Sequence, residues 1–196
     1  MTKRPGSVLA GRRRGAETTE AILHAALDEL SRRGYAALTM DGIAERAGAS
    51  KATLYRRWAN KQELLLEAAG LVIRPIDAPD LGDFSAELRH HLRARLALYD
   101  NERGRRLVAA LIGAAPTDPD LSDALRHWLD GVSASTRAII ERGQQRGDVR
   151  LDVDRGTIAT LVSGPMIYRA IVEQDAPDAD LVDQLVALVT AAVSPR

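Results

Sequence analysis

The most constraining feature of this sequence is a glycine between two short amphipathic segments at residues 39–58. Thr39 can cap a first helix, MDGIAERA, because its hydroxyl can accept a hydrogen bond from a free N–H group of the first turn. Gly48 follows that helix and can adopt the positive φ angle of a tight turn. Ser50 can then cap a second helix, KATLYRRW. The segment therefore predicts two helices joined by a tight turn.

The second of these helices has one apolar and one polar face. Leu54 and Trp58 are four residues apart and share the apolar face. Ala44 and Ala47 of the first helix are small enough to let the two helices cross closely. A protein that inserts one helix into the major groove of DNA needs this arrangement. The pattern predicts a helix-turn-helix whose outer face carries Lys51, Thr53, Tyr55 and Arg56.

Amphipathic segments on both sides extend this motif. The apolar residues of 16–33 recur at helical spacing, and Gly34 suits the end of that helix. Asn60 followed by Glu63 forms the N-terminal signature of a further helix. We expect that helix to run until Pro75, which cannot continue it.

The whole stretch LTMDGIAERAGASKATLYRRWANKQELLLEA resembles the DNA-binding domain of the TetR family of tetracycline-repressor-like regulators, and the resemblance covers about residues 16–73. Departures are mild, with Gly42 where alanine is common and Ala49 where valine is common. The resemblance implies dimeric binding to operator DNA. It also implies that these positions face the DNA: Thr39, Ser50, Lys51, Ala52, Thr53, Tyr55, Arg56 and Lys61.

The chemistry of these side chains divides them into two groups. Hydroxyls and lysines near helix N-termini reach phosphates, which predicts phosphate contacts for Thr39, Tyr55 and Lys61. Side chains in the middle of the reading helix reach base edges, which predicts base contacts for Lys51, Thr53 and Arg56. Ala52 would allow close approach to the DNA.

The charge distribution agrees with a polyanionic partner for the N-terminal part. Residues 1–75 contain 13 Lys and Arg against 8 Asp and Glu, whereas residues 76–196 contain 14 against 19. Residues 1–15 form an acid-free basic segment, which we expect to be a disordered arm that follows DNA phosphates. A tail that only increases solubility is an equal alternative. The arm carries Lys3, Arg4, Arg12, Arg13 and Arg14.

The remaining sequence predicts an all-α fold of about nine helices. The Pro- and Gly-rich segment 74–83 separates a helix-turn-helix domain at 16–76 from a helical domain at 77–196. No convincing strand alternation occurs. In the second domain the periodicity predicts helices at about 84–99, 103–115, 119–146, 154–173 and 178–193.

The two final helices are the predicted dimer interface. The resemblance implies that they pair with their symmetry mates in a four-helix bundle, and their apolar periodicity agrees. A single reading helix also covers too few base pairs for high operator specificity. The same residues would equally suit the core of one chain: Ile158, Leu161, Val162, Leu181, Leu185 and Leu188.

The resemblance further implies that residues 77–152 help to enclose a pocket for an unknown small-molecule inducer. Large or adaptable side chains in apolar helices are the candidates for ligand contact, with plain core packing as the alternative: Tyr99, Trp128, Met166 and Tyr168. Pro165 lies inside a predicted helix and should kink it.

Several function classes have no support in the sequence. It contains no cysteine, and adjacent His90 and His91 point in different directions on a helix, so we expect no metal site and no cofactor. No nucleophile or phosphate-loop motif indicates an enzyme. No segment predicts a membrane span, and we expect a cytoplasmic protein. Two alternatives to a ligand-released repressor stay open: a regulator without ligand, and a helical small-molecule-binding protein or enzyme.

Overall fold

A computed structural model describes residues 5–74, 76–100 and 102–195. This part of the chain contains ten α-helices and no strand, which confirms the predicted all-α class. The helices are α1 (Pro5–Arg33), α2 (Met40–Ala47), α3 (Lys51–Tyr55), α4 (Lys61–Ala69), α5 (Phe84–Asp100), α6 (Glu102–Ala114), α7 (Pro119–Val132), α8 (Ala134–Arg146), α9 (Arg155–Ile167) and α10 (Ala179–Val193).

The chain divides into two compact units. The first contains the residues up to Val72 together with Ala110–Leu125, and the second contains Ile73–Ala109 together with the residues from Arg126 onward. The first unit thus includes a segment from the C-terminal part of the sequence, which the sequence did not predict. The division into 1–15, 16–76 and 77–196 stays a prediction.

The N-terminal helix is longer than the sequence predicted. Residues 5–15, predicted as part of a disordered arm, belong to α1 in the structure, while Lys3 and Arg4 lie outside the described residues. Pro5 suits the first turn of a helix because its ring fixes φ near the helical value and its missing N–H needs no partner there. Several helix-favouring residues follow it, namely Leu9, Ala10 and Arg12–Arg14.

Two other helix boundaries differ from the sequence-based expectation. Helix α4 ends at Ala69 rather than near Pro75, because Gly70 has a low helix propensity and the chain tightens into a turn there. The predicted helix at 119–146 is two helices with a break at Ser133. Gly131, Val132 and Ser133 are all weak helix formers, which explains the position of the break.

The first unit is built around the apolar face of α1. Ile22, Ala26 and Leu30 are buried, which confirms the helical face predicted from their spacing. Gly34 has φ of +73° and ends α1, as expected. Helices α2 and α4 both pack on α1.

A buried carboxylate joins α1 to α2. Glu29 is 2% exposed; its Oε2 accepts a hydrogen bond from Arg46 Nε at 2.6 Å, and its Oε1 forms an ion pair with Arg33 Nε at 2.8 Å. The hydrogen bond from Arg46, assisted by the charges of both arginines, lowers the pKa of Glu29 below its usual value of 4.5.

Replacing Glu29 with glutamine should lower the free energy of unfolding at pH 7 by about 1 to 2 kcal/mol, because the amide has no negative charge to attract Arg33 and Arg46 and has one acceptor oxygen instead of two. Since the folded pKa is depressed, this stabilisation is present above about pH 4.5 and is lost as the pH falls through the folded pKa. Urea titrations at several pH values measure it. Glu20→Gln, an exposed change on the same helix, should have little effect. A Glu29→Gln deficit that persists unchanged at low pH would contradict the assignment.

The second unit has its core between α5, α8, α9 and α10. Phe84, Leu88, Ile139, Ile158 and Val186 are among its buried residues. Helix α9 continues through Pro165 and is followed by a π-helical segment, Tyr168–Val172. In the described part of the chain, every helix is too short or too polar to span a membrane.

Candidate nucleic-acid interface

Local hydrogen bonds fix the geometry of α2, the turn and α3. Thr39 Oγ1 accepts from Gly42 N–H at 3.1 Å, and Ser50 Oγ accepts from Thr53 N–H at 3.2 Å. Gly48 has φ of +61°, a left-handed conformation that favours glycine. Both predicted caps and the predicted turn are confirmed. The start of α3 is therefore held in place by its own sequence.

Beneath the exposed face, the motif is anchored in the core of the first unit. Ile43, Leu54 and Trp58 are buried, as their spacing predicted. Trp58 Nε1 donates a hydrogen bond to Glu67 of α4 at 2.7 Å, and Arg57 donates to the other oxygen of the same carboxylate at 2.7 Å. These contacts fasten the C-terminal end of the reading segment to α4, so the exposed side chains stand on a rigid support.

The second helix of the motif, α3, which we call the reading helix, is shorter than the predicted helix KATLYRRW. Helix α3 covers Lys51–Tyr55, and Arg56 and Arg57 form a turn after it. The N–H groups of Arg57 and Trp58 both bond the carbonyl of Leu54, each at 2.9 Å, so the last turn is tightened. Because the hydrogen bonding continues to Trp58, Arg56 remains on the outer side next to α3.

The exposed surface of this motif carries most of the predicted DNA contacts. Ala52, Tyr55 and Arg56 are exposed, and the Tyr55 side chain is a large aromatic group on the surface. Thr53 is half-buried, with its hydroxyl 2.9 Å from that of Ser50. The structure thus brings these predicted contacts onto one surface. Their binding to DNA stays a prediction.

Lys51 has a partner that the sequence analysis missed. Its Nζ lies 2.6 Å from Oδ2 of Asp41 on α2, and both side chains are exposed. The hydrogen bond and the negative charge of Asp41 raise the pKa of Lys51. The sequence did not predict this pair, because the spacing of Asp41 and Lys51 does not show that α3 crosses next to α2. Asp41 therefore competes with any DNA contact that Lys51 makes.

Lys61 also makes contacts within the protein. Its ammonium donates hydrogen bonds to the carbonyl oxygens of Leu38 at 3.0 Å and Tyr35 at 3.3 Å, and it lies 4.4 Å from the centre of the Tyr35 ring. Lys61 therefore ties α4 to the connection between α1 and α2. An ammonium has three donors, so its predicted phosphate contact stays possible alongside these bonds.

Asp118 links the segment 110–125 to the rest of the first unit. Its Oδ1 caps α7 by accepting from Leu121 N–H at 2.9 Å. Its Oδ2 accepts from the Tyr35 hydroxyl at 2.6 Å and from Gln62 Nε2 at 2.9 Å. The hydrogen bond from Tyr35 lowers the pKa of Asp118. No pattern in the sequence pairs Tyr35 with a residue 83 positions away.

The predicted ligand residues do not all lie together. Tyr99 and Met166 are buried in the core of the second unit. Trp128 is partly buried, whereas Tyr168 is 55% exposed at the start of the π-helical segment. Only Tyr99 and Met166 therefore lie in a common apolar interior, and ligand contact by any of the four stays a prediction.

The residues predicted for the dimer interface differ in how deeply they are buried within one chain. Ile158 and Val162 are completely buried, and Leu185 is nearly so, because they pack in the core of their own unit. Leu181 is partly buried. Leu161 and Leu188 are 50% and 69% exposed. Only exposed side chains have surface to offer a partner, so a dimer contact can rest on Leu161 and Leu188 but not on Ile158 and Val162.

Comparison with known proteins identifies both parts of the sequence. Residues 22–68 match the family model described as bacterial regulatory proteins, tetR family. Residues 78–189 match the model described as tetracyclin repressor-like, C-terminal domain. The sequence is 32% identical to the uncharacterized HTH-type transcriptional regulator YdeS of Bacillus subtilis (strain 168), over 90% of this chain and 89% of that protein. It is 35% identical to the DNA-binding transcriptional repressor TetR of Mycobacteroides abscessus, over 80% of this chain and 83% of that protein.

Solved structures agree with this result. The crystal structure of the TetR family transcription regulator SCO0332 matches with a TM-score of 0.68 and 31% identity, over 91% of this chain and all of the other. The flavonoid-responsive regulator FrrA shares the fold, with a TM-score of 0.69 and 20% identity over 92% of this chain and 99% of that one. The helix-turn-helix geometry, the two family models and these relatives lead to one conclusion: the chain belongs to the TetR family of bacterial transcriptional regulators.

Proposed function

We propose that this protein is a repressor that binds operator DNA as a homodimer and is released by a small molecule. The observation that carries the DNA-binding part is the exposed face of α3 and the following turn, which presents Lys51, Tyr55 and Arg56 on a rigid support. Such a short capped helix fits the major groove, where a lysine or arginine can donate to guanine. A repressor role is supported by the printed name of the Mycobacteroides abscessus relative.

The homodimer would use the exposed apolar side chains of α9 and α10. Leu161 and Leu188 are half or more exposed in the single chain. Large apolar side chains on neighbouring helices mark protein interfaces when they form a continuous patch. A two-fold dimer places two reading helices about one DNA turn apart, which supplies the specificity that one short helix lacks.

Release by a ligand requires a route from the second unit to the reading helix. Helix α4 is one candidate for this role, because it follows the helix-turn-helix and leads along the sequence toward the second unit. The structure supports a further route, because α6 and α7 have residues in both units and Asp118 at the start of α7 holds Tyr35 and Gln62. A ligand that moves the start of α7 would displace the connection that positions α2. Ligand-coupled changes in DNA affinity are typically about 5- to 150-fold.

Transcription in vitro tests the repressor assignment. The template carries a promoter overlapped by the sequence that the full-length protein selects from random duplexes, and the control template carries a scrambled version. We expect transcript to fall as protein is added to the first template only. Increased transcript would identify an activator, and an equal effect on both templates would exclude sequence-specific repression.

A further inference from the structure

An arginine of the second unit lies among core residues without a carboxylate partner. Arg95 of α5 is partly buried, and in the described part of the chain its guanidinium meets only two hydroxyls. One N–H group donates to Ser163 Oγ of α9 at 3.3 Å and another to Thr136 Oγ1 of α8 at 3.4 Å. Both are long contacts. Arg89 and Arg93 on the same helix instead form ion pairs with Asp183.

A buried histidine next to this arginine is also incompletely satisfied. His91 is 1% exposed, and its Nε2 lies 3.0 Å from Thr136 Oγ1. Its Nδ1 has no hydrogen-bond partner among the residues that the structure describes. Burial, together with the positive charge of Arg95, lowers the pKa of His91 to about 4, so the ring is neutral at pH 7. An unpartnered buried polar atom is rare in proteins and indicates a missing partner.

These groups come together from three helices beside the apolar core of the second unit, where His91 and Thr136 are buried and Arg95 and Ser163 partly buried. His91, Arg95 and Tyr99 follow each other at intervals of four residues, so they share one face of α5. Thr136 on α8 and Ser163 on α9 supply the hydroxyls. Tyr99 and Met166 belong to the surrounding core. A cation held in such surroundings without a counter-ion is costly for the ligand-free protein, whereas a bound anion would neutralise it.

The donor set defines the charge and shape of the missing anion. A guanidinium presents a planar fork of N–H groups that matches the two oxygens of a carboxylate. The site has one positive charge, and its other polar groups, the imidazole and the two hydroxyls, are neutral. One monovalent oxyanion therefore balances it, while a phosphate dianion would leave a negative charge in the core. The apolar surroundings require an apolar body on the ligand.

We propose that the inducer is a small organic carboxylic acid whose carboxylate binds Arg95, Thr136 and Ser163 and whose apolar body lies against Tyr99 and Met166. This inference rests on the proposed ligand-controlled function and names the chemical class of its ligand. His91 Nδ1 provides one further polar contact for a substituent or for the acid group itself.

The first test needs no ligand. Replacing Arg95 with methionine keeps an unbranched apolar stem and removes the charged guanidinium, so the melting temperature of the ligand-free protein should rise by about 2 to 4 °C. Arg93→Met, on the exposed side of the same helix, should not raise it, because Arg93 has Asp183 as partner. A fall in the melting temperature of Arg95→Met would show that the guanidinium serves the structure, and it would overturn the proposal.

The second test compares acids with their uncharged amides. Full-length protein is titrated calorimetrically with benzoate, phenylacetate and octanoate and with benzamide, phenylacetamide and octanamide. We expect at least one acid to bind tenfold or more tightly than its amide, and this preference to disappear in Arg95→Gln but not in Arg93→Gln. Equal binding by acid and amide in every pair, or a preference that survives in Arg95→Gln, would overturn the proposal.

The two proposals can fail separately. The binding acid is also added to the complex of the protein with its operator duplex, followed by fluorescence anisotropy. Release of the duplex supports both proposals. Binding of the acid without release supports the carboxylate site but contradicts ligand-controlled repression. A protein that binds no operator at all contradicts the proposed function while the acid and amide comparison still decides the site.

Discussion

A variant with alanine at both Lys51 and Arg56 should lose operator affinity by on the order of 100-fold or more, while its affinity for scrambled DNA falls much less. The reason is that both side chains stand on the exposed face of α3 and the turn after it, where base edges would lie. The fold should be unaffected because Leu54 and Trp58, not these residues, form the buried side.

The two single substitutions should reduce operator affinity by different amounts. Asp41, at 2.6 Å, competes with DNA for the Lys51 ammonium, whereas Arg56 has no ion-pair partner among the described residues. We therefore expect Arg56→Ala to reduce operator affinity more than Lys51→Ala does. Fluorescence anisotropy with operator and scrambled duplexes at one fixed salt concentration measures both.

A matched control separates base reading from general charge. Arg93→Ala/Arg106→Ala removes the same number of positive charges from exposed positions on α5 and α6. This control should retain operator preference. The assignment of the reading face is wrong if the Arg93 and Arg106 control weakens operator binding as much as the Lys51 and Arg56 variant does. It is also wrong if the Lys51 and Arg56 variant still prefers operator to scrambled DNA.

Replacing Leu161 and Leu188 together with glutamate should convert the proposed dimer into a folded monomer. Both side chains are half or more exposed within one chain, so a charge there costs the monomer little, but a dimer would bury two unpaired carboxylates per chain. Operator affinity should fall by several orders of magnitude because one reading helix covers too few base pairs. Sedimentation velocity and circular dichroism measure association and folding.

Val162→Glu provides the comparison for this prediction. Val162 is completely buried in the core of its own unit, so this substitution should unfold the second unit rather than only separate the chains. A Leu161→Glu/Leu188→Glu protein that remains dimeric at micromolar concentration would place the interface elsewhere. An unfolded one would show that the two leucines pack within the chain.

The sequence correctly predicted those parts of the fold whose conformation depends on interactions between residues close together in the chain. Thr39, Ser50 and Asn60 cap helices through hydrogen bonds to N–H groups three residues later, so a short window contains the whole signal. The same holds for the positive φ of Gly48. The reading face follows from these local elements, since once α3 begins at Ser50 its periodicity decides which side is exposed.

The missed features depend on contacts between distant segments. The position of Asp118 before Pro119 indicates only a helix cap, and its bonds to Tyr35 and Gln62 appear only when the segment 110–125 packs within the first unit. Periodicity identified the apolar residues of α9 but could not divide them between core and surface. For that reason Val162 and Leu161 were predicted together, although only Leu161 is exposed. The sequence did not predict the proximity of His91 and Arg95 to Ser163 for the same reason, because they lie on α5 and α9, which are far apart in sequence.

The central claim, that this protein recognises a specific operator, is tested most directly by selecting random duplexes with the full-length protein and then measuring affinity for the selected sequence and a scrambled one. We expect a two-fold symmetric sequence with half-sites about one helical turn apart. We also expect the protein to bind it at least about 1,000-fold more tightly than the scrambled duplex at physiological salt. Enrichment of no sequence, or equal affinity for the two duplexes, would contradict it.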